Sequence, residues 1–174
     1  MKTTLIFVSS LDGKVTKWGD SRVKLWSSKE DQDYFKKTWH DSRLIVMGSK
    51  TFNANPLPPS PNHLLIIMTA HPEQYKQWEV SGQVEFTKES PLELCARFKS
   101  TGHEQMLVVG GAHVATSFLK DQLIDELWLT LEPKIFGAGS NFVAEEKLDV
   151  NLRLINWEKV NEKGTLITKY EVLK

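Results

Sequence analysis

Short apolar runs alternate with amphipathic segments along most of this 174-residue chain. Runs of β-branched and large apolar residues predict buried strands; they lie at Thr4–Val8, Arg43–Met47, His63–Met68, Val84–Thr87, Gln105–Val109 and Leu127–Leu131. Apolar positions at helical spacing predict helices between some of these runs; they occur in Ser27–Lys37, in Pro91–Lys99 and in the stretch from Gly111 to Lys120. Strands that alternate with helices indicate a mostly parallel sheet.

The last part of the chain has a different pattern. Asn151–Val160 and Thr165–Val172 alternate between apolar and polar residues, and the turn-forming segment Asn161–Gly164 separates them. This arrangement predicts an antiparallel hairpin. We therefore expect an α/β fold of three layers, in which a mixed, mostly parallel central sheet ends in a C-terminal antiparallel hairpin and carries helices on both faces. No repeat or linker interrupts the pattern, so a single domain over residues 1–174 is expected.

Composition narrows the classes of function. Lys and Arg total 22, as do Asp and Glu, so there is no basic excess that would favour a nucleic acid or an anionic membrane as partner. The apolar fraction of 40% is enough for a sizeable core. The single cysteine, Cys95, forms no internal disulfide and belongs to no Cys/His cluster, which predicts the absence of a metal site. Without a signal-like or membrane-spanning apolar run, the expected location is cytoplasmic.

Two strand ends carry glycines that open a helix. Leu107–Val114 runs from a buried strand through Gly110 and Gly111 into a helix start, and Met47–Thr51 repeats the arrangement with Lys50 and Thr51 added. Glycines let a phosphate approach the backbone, and the free N–H groups of a helix start bind it. The alternatives without a ligand are that the two glycines form a tight turn, that Lys50 is a solvated lysine and that Thr51 is a helix cap. If the two strands are neighbours, a dinucleotide can span both junctions.

Over nearly its whole length the sequence resembles the dihydrofolate reductase-like superfamily, most closely the reductase domain of riboflavin biosynthesis. The resemblance rests on motifs in matching order, which are Ser10–Lys14, Trp26–Ser28, Gly48–Thr51, Gly110-Gly111, Ile124–Leu127, Glu132-Pro133 and Phe136–Gly139. It implies a reductase that uses NADPH to reduce the ribose of a phosphoribosylamino-pyrimidine. It also implies a homodimer, for which Trp128 and Leu129 are candidate contacts.

The resemblance assigns site residues position by position. Val8 and Val15 match residues that flank the nicotinamide. The resemblance also implies nine residues that bind the phosphates, ribose or adenine of the cofactor: Gly48, Lys50, Thr51, Thr69, Gly110, Gly111, Ala112, His113 and Val114. Asp12 and Lys14 are candidate catalytic residues, with the alternative that they are turn residues around Gly13.

Three departures keep other functions open. Ser49 stands where dihydrofolate reductases carry an arginine near the 2′-phosphate, and the loop Asn53–Ser60 lacks the acidic residue and the arginine that riboflavin reductases use for substrate. Asp31 occupies the position of the dihydrofolate reductase catalytic carboxylate, where riboflavin reductases have a small residue. Asp31 is thus a proton donor, directly or through a water, or it completes a capping box with Ser28. The alternatives are a pterin or dihydrofolate reductase-like activity, and a nucleotide-binding relative that has lost the substrate chemistry.

Overall fold

The computed structural model describes residues 1–174 and builds them around one eight-stranded sheet. The strands are β1 (Lys2–Ser10), β2 (Leu44–Gly48), β3 (Leu64–Met68), β4 (Val84–Thr87), β5 (Gln105–Val108), β6 (Glu126–Glu132), β7 (Asn151–Lys159) and β8 (Leu166–Leu173). The α-helices are α1 (Lys29–Asp41), α2 (Ser49–Ala54), α3 (Pro91–Ser100) and α4 (Ala112–Lys120). Two stretches of 3-10 helix lie at Val23–Leu25 and Pro72–Trp78.

The strand order is β4-β3-β2-β5-β1-β6-β8-β7. The first six strands in this order are parallel, whereas β8 runs antiparallel to both β6 and β7. The predicted α/β fold, with its mixed, mostly parallel sheet and its antiparallel C-terminal strands, is therefore confirmed. β1 lies inside the sheet between β5 and β6, as its run of β-branched and apolar residues predicts.

Apolar side chains cover both faces of the sheet. On one face, Leu94 and Phe98 of α3 and Phe118 of α4 pack against alternate strand residues such as Leu5 and Val108. On the other face, Tyr34 and Phe35 of α1 and Phe52 of α2 pack against Ile6 and Ile45. Because successive strand residues point to opposite faces, every central strand supplies both layers, which is why its sequence is an unbroken apolar run.

One detail departs from the sequence-based expectations. Leu129 is buried in the core beside α4, so its predicted contact with a second copy is wrong. Trp128 points to the opposite face, where the Nζ of Lys169 lies 3.9 Å from the centre of its ring. None of the helices has the length and apolar character needed to cross a membrane.

Candidate active site

The two glycine junctions meet at the carboxyl edge of the sheet. β2 and β5 are neighbours, and the N–H of Gly48 donates to the carbonyl of Gly110 at 2.9 Å. A Cβ on Gly48 would lie 3.1 Å from the side chain of Val114, and a Cβ on Gly111 would lie 3.1 Å from Oγ1 of Thr51. The starts of α2 and α4 therefore pack directly against each other, and a side chain at either glycine would require the neighbouring side chain to shift by a few tenths of an ångström.

Gly110 needs to be glycine for reasons within the chain as well. Its φ of +95° lies in the left-handed region, and a Cβ there would lie 2.9 Å from the ring of Phe7. The tight-turn interpretation thus accounts for Gly110 by itself. It does not account for the open helix start that follows.

The start of α4 presents free backbone donors. No side chain caps this helix at Gly111, and the first intrahelical N–H donor is Ala115, which bonds to the carbonyl of Gly111. The N–H groups of Ala112, His113 and Val114 precede that bond, so they have no partner within the helix. Such a start favours a negatively charged group, because the donors and the helix dipole act together.

The remaining predicted cofactor residues surround this start. Thr51 is half-buried against Gly111, Lys50 is exposed on α2, and Thr69 follows the last residue of β3 at the same edge. The residues present thus fit a phosphate-containing cofactor: a cradle without side chains, an uncapped helix of nine residues and a nearby cation. No group of three or more His, Cys, Asp or Glu side chains is placed to hold a metal ion.

Asp31 lies in the first turn of α1, and its side chain is turned into the protein. The residue is only 5% exposed. Oγ of Ser28 accepts a hydrogen bond from the N–H of Asp31, so Ser28 is the N-cap that the sequence predicts. The capping box is not completed by Asp31, because the N–H of Ser28 donates instead to Oε1 of Glu132 at 2.6 Å. The cap therefore leaves the Asp31 carboxyl free for another task.

The surroundings of Asp31 change its acidity. Burial raises the pKa of Asp31 to about 6, and the nearby charge of Glu132 adds to the increase, while the side chains of Thr130 and Ser27 act in the opposite direction. Thr130 lies beside Val8 in the pairing of β6 with β1. The carboxyl therefore lies next to the strand pair that carries Val8, one of the two predicted nicotinamide neighbours. The buried indole N–H of Trp26, five residues before Asp31, has no partner within the chain.

A second buried carboxyl binds the N-terminal end of α1. Glu132, at the end of β6, is 2% exposed; its Oε1 accepts from Ser28 and its Oε2 from the hydroxyl of Thr165. Asn161, in the turn between β7 and β8, bonds to both Thr165 and Glu30. Glu132 belongs to the motif Glu132-Pro133, from which no role for its side chain could be predicted. The sequence feature that could have drawn attention to Glu132 is that an acidic residue ends an otherwise apolar strand.

Asp12 and Lys14 join two loops. Asp12 accepts hydrogen bonds from Oγ of Ser10 at 2.6 Å and from the N–H groups of Phe136 and Gly137 at 3.1 and 2.7 Å. The bond from Ser10, followed by those from the two backbone groups, lowers the pKa of Asp12 to about 2. Nζ of Lys14 donates to Oδ1 of Asn141. These contacts support the alternative that both residues hold the turn that follows β1.

Further contacts fix the same loop pair. The N–H of Val15 donates to the carbonyl of Ser140, and the indole N–H of Trp18 donates to the carbonyl of Phe136. Gly139 has a φ of +146°, and a Cβ on it would lie 2.0 Å from the carbonyl oxygen of Thr16. The loop that contains Val15 is thus held against residues 136–141, at the carboxyl ends of β1 and β6.

Comparison with known proteins places the chain in a family. Residues 2–166 match the model of the RibD C-terminal domain. The uncharacterized protein YwjB of Bacillus subtilis is 25% identical over 158 residues, 88% of each protein. A deaminase/5-amino-6-(5-phosphoribosylamino)uracil reductase of Thermotoga maritima superposes with a TM-score of 0.76 at 17% identity, covering 99% of this chain and 56% of that one. Dihydrofolate reductase of Enterococcus faecalis, complexed with NADP(H), superposes with a TM-score of 0.72 at 21% identity, covering 99% and 97%.

The two structural neighbours share the fold at low sequence identity, and they agree with the dihydrofolate reductase-like architecture that the sequence motifs imply. The family match runs from β1 through β7 to the first residue of β8, and it includes both glycine junctions and Asp31. This chain belongs to the RibD C-terminal domain family.

Proposed function

We propose that this protein is an NADPH-dependent reductase of a planar nitrogen heterocycle or of its ribosyl derivative. One observation carries the proposal. A buried carboxyl of raised pKa, Asp31, lies at the same carboxyl edge of the sheet as the uncapped start of α4. Family membership and the reductase named among the structural neighbours support the same reaction class.

The protein's own residues have separate tasks in this proposal. The N–H groups of Ala112, His113 and Val114 hold the cofactor phosphates, and Lys50, Thr51 and Thr69 contact the adenosine end. Val8 and Val15 orient the nicotinamide, which supplies a hydride when the cofactor is bound. The contacts of the 11–18 loop with residues 136–141 keep this position fixed and exclude water.

Asp31 completes the reaction by supplying a proton. Reduction of a C=N bond adds a hydride to carbon and a proton to nitrogen. Because its pKa is about 6, the Asp31 carboxyl keeps its proton in about one molecule in ten at pH 7, whereas an ordinary aspartate keeps it in fewer than about one in a thousand. Thr130 positions the carboxyl beside β1, and Glu132 disfavours its ionised form.

The substrate class has two candidates. A ribosylamino-pyrimidine is favoured by the family match. A dihydropterin is favoured by the buried Asp31, which stands where dihydrofolate reductases have their catalytic carboxylate. The two candidates differ in a phosphate group, which the pyrimidine substrate of riboflavin reductases carries. The loop Asn53–Ser60 contains no arginine that could bind this phosphate.

The test combines binding with turnover. A thermal-denaturation series with NADPH and NADH measures binding, since a ligand at about 100 times its Kd adds about 2.7 kcal/mol to the free energy of unfolding. Loss of NADPH absorbance with each heterocycle then measures turnover. Absence of stabilisation by either nucleotide contradicts the proposal. Binding without turnover on any pterin or pyrimidine supports instead the relative that has lost the substrate chemistry.

A further inference from the structure

A cavity of about 260 Å³ lies between the C-terminal half of α1 and the sheet. Its floor includes Thr4 of β1, Leu107 of β5 and Trp128 of β6, which belong to the face of the sheet that α1 covers. Its wall includes Lys37 and Thr38 of α1. The cavity therefore opens at the edge of the sheet where the parallel strands begin.

This cavity is separate from the candidate active site. Thr4 precedes Val8 by four residues on β1, which corresponds to about 13 Å along the strand. The predicted cofactor residues follow the opposite ends of the strands. The proposed reduction uses none of the residues that line the cavity.

Three cations line the cavity without a carboxylate partner. Lys37, Arg43 and Lys169 belong to the lining, and none of them takes part in an ion pair of this chain. The guanidinium of Arg43 donates only to the carbonyl of Asn62, at 3.2 Å. Asp41 is the one acidic residue of the lining and also has no ion pair. The lining thus carries an excess of positive charge at neutral pH.

The end of α1 does not cancel this charge. Its last carbonyls carry the negative end of the helix dipole, which disfavours an anion. Ser42, which follows the helix, donates from its hydroxyl to the carbonyl of Thr38 at 2.7 Å and from its N–H to the carbonyl of Trp39 at 3.2 Å. Two of these carbonyls are therefore satisfied within the chain.

Two aromatic rings line the cavity beside the cations. The indole N–H of Trp128 donates to Oε2 of Glu126 at 2.8 Å, which fixes the orientation of the ring. The ring of Tyr34 lies 6.3 Å from that of Trp128, at an interplanar angle of 43°. Lys169 pairs with Trp128 across β6 and β8, and its Nζ lies 3.9 Å from the centre of the indole ring. Aromatic surface is thus combined with positive charge at one place.

We propose that this cavity is a second ligand site, which binds a small organic anion made of one aromatic ring and a phosphate or carboxylate group. The ring packs against Trp128 and Tyr34. The anionic group pairs with Lys37, Arg43 and Lys169, which form charge-assisted hydrogen bonds with it. Pockets for drug-sized ligands measure about 300–1,000 Å³. A volume of about 260 Å³ therefore suits a ligand with a single ring and excludes a dinucleotide.

The proposal is tested by calorimetric titration with three probes, and it does not depend on the proposed enzymatic activity. Phenyl phosphate and benzoate carry the ring with either anionic group, whereas methyl phosphate carries the charge without the ring. At least one of the two ring-bearing probes is expected to bind with a Kd of about 1 mM or below. Methyl phosphate is expected to bind about tenfold more weakly or not at all. Absence of binding by both ring-bearing probes at about 10 mM overturns the proposal.

Four substitutions locate the bound probe. Arg43→Gln and Lys169→Gln each remove one cation from the lining, so each is expected to weaken binding about tenfold or more. Asp41→Asn removes the one negative charge and is expected to strengthen binding about twofold or more. Lys36→Gln is the matched control, because Lys36 lies on the same helix but outside the lining, and it is expected to leave the Kd unchanged. An equal loss in Lys36→Gln and Arg43→Gln overturns the proposal.

The start of α4 is the other place where a phosphate can bind. Phenyl phosphate bound there would lose affinity in His113→Glu and keep it in Arg43→Gln, and that result also overturns the proposal. The melting temperature of each variant checks that it is folded. If Lys169→Gln does not fold, Arg43→Gln, Asp41→Asn and the comparison of probes still decide. Because the titrations measure binding without cofactor, failure of the reductase assay leaves their outcome unaffected.

Discussion

Replacing Asp31 by asparagine keeps the shape of the side chain and removes its charge and its proton. Because burial raises the pKa of Asp31 from 3.8 to about 6, the ionised carboxylate costs about 3 kcal/mol of the free energy of unfolding at neutral pH. The sign follows from proton binding. Between about pH 4 and pH 6 the folded protein holds a proton that the unfolded chain has released, so the free energy of unfolding falls as the pH rises.

Asparagine does not ionise and therefore avoids this cost. Its amide forms a less favourable set of hydrogen bonds beside Thr130, at a loss of about 1 kcal/mol. We expect Asp31→Asn to be destabilised slightly at pH 4 and stabilised by about 2 kcal/mol at pH 8, which corresponds to about 4–8 °C in Tm for a chain of this size. Turnover is expected to fall by ~10²-fold or more, because the general acid is lost. NADPH affinity is expected to remain unchanged.

The assay is a urea denaturation series at pH 4, 6 and 8, paired with initial rates of NADPH oxidation. Asp33→Asn is the matched control, since Asp33 lies on the same helix, is exposed and pairs with Lys29 at the surface. It is expected to change neither turnover nor the slope of stability against pH by a comparable amount. A stability difference for Asp31→Asn that is the same at all three pH values would refute the argument from burial. Unchanged turnover would refute the catalytic role.

Three more changes test the cofactor end and the loops. His113→Glu puts a negative charge at the start of α4. The charge interacts favourably with the helix dipole, so the free energy of unfolding, measured by denaturation, is expected to rise by about 0.5 kcal/mol. The same charge repels the phosphates, so NADPH binding, measured by titration, is expected to weaken about tenfold or more. The same change at Leu92, the second residue of α3, is expected to leave binding unchanged, and equal effects at both positions would contradict the phosphate site. Lys50→Ala is expected to weaken NADPH binding more than NADH binding, and equal losses in the two titrations would remove its role at the 2′-phosphate. Asp12→Asn is expected to lower turnover. Because the pKa of Asp12 is lowered to about 2, its carboxylate stabilises the wild-type protein above about pH 4, and this stabilisation is lost as the pH falls from about 4 to 2. The variant is expected to lack this stabilisation, and identical acid-denaturation curves for the wild-type protein and the variant would contradict that expectation.

Gly111→Val is a simpler substitution by which the phosphate site could be tested. A valine at Gly111 is expected, from the motif alone, to block the cofactor while sparing the fold. The structure places Oγ1 of Thr51 only 3.1 Å from the first added carbon. A loss of binding in that variant would therefore report on the packing of α2 against α4 as well as on the phosphates, which makes the exposed His113 the better position.

The local features of the fold were predictable, because each depends on a few neighbouring residues. The apolar runs predict the strands, and Ser28 predicts the start of α1. The two glycine junctions could be recognised from sequence, but only the pairing of β2 with β5 brings them together. That pairing joins residues about 60 apart in sequence, which no periodicity reveals.

The features that were missed depend on long-range contacts. Ser28 receives its second partner from Glu132, more than 100 residues away, so the incomplete capping box could not be foreseen. Leu129 and Trp128 alternate along β6, but the sequence does not show which face α4 covers. The C-terminal hairpin was predicted, whereas its order in the sheet was not: β8 inserts next to β6, which leaves β7 at the exposed edge.

The position of β1 in the sheet has a consequence for folding during synthesis. β1 pairs with β5 and β6, and the register joins Lys2 to Gln105 and Thr4 to Glu126. At about 5–20 residues per second, a ribosome needs roughly 5–25 s to make the intervening chain. During this time Leu5 and Ile6, which are buried in the finished protein, lack first both neighbouring strands and then β6 alone. We therefore expect the nascent chain to expose apolar surface until β6 has emerged, and the yield of folded protein to depend on chaperones that cover β1 in the meantime.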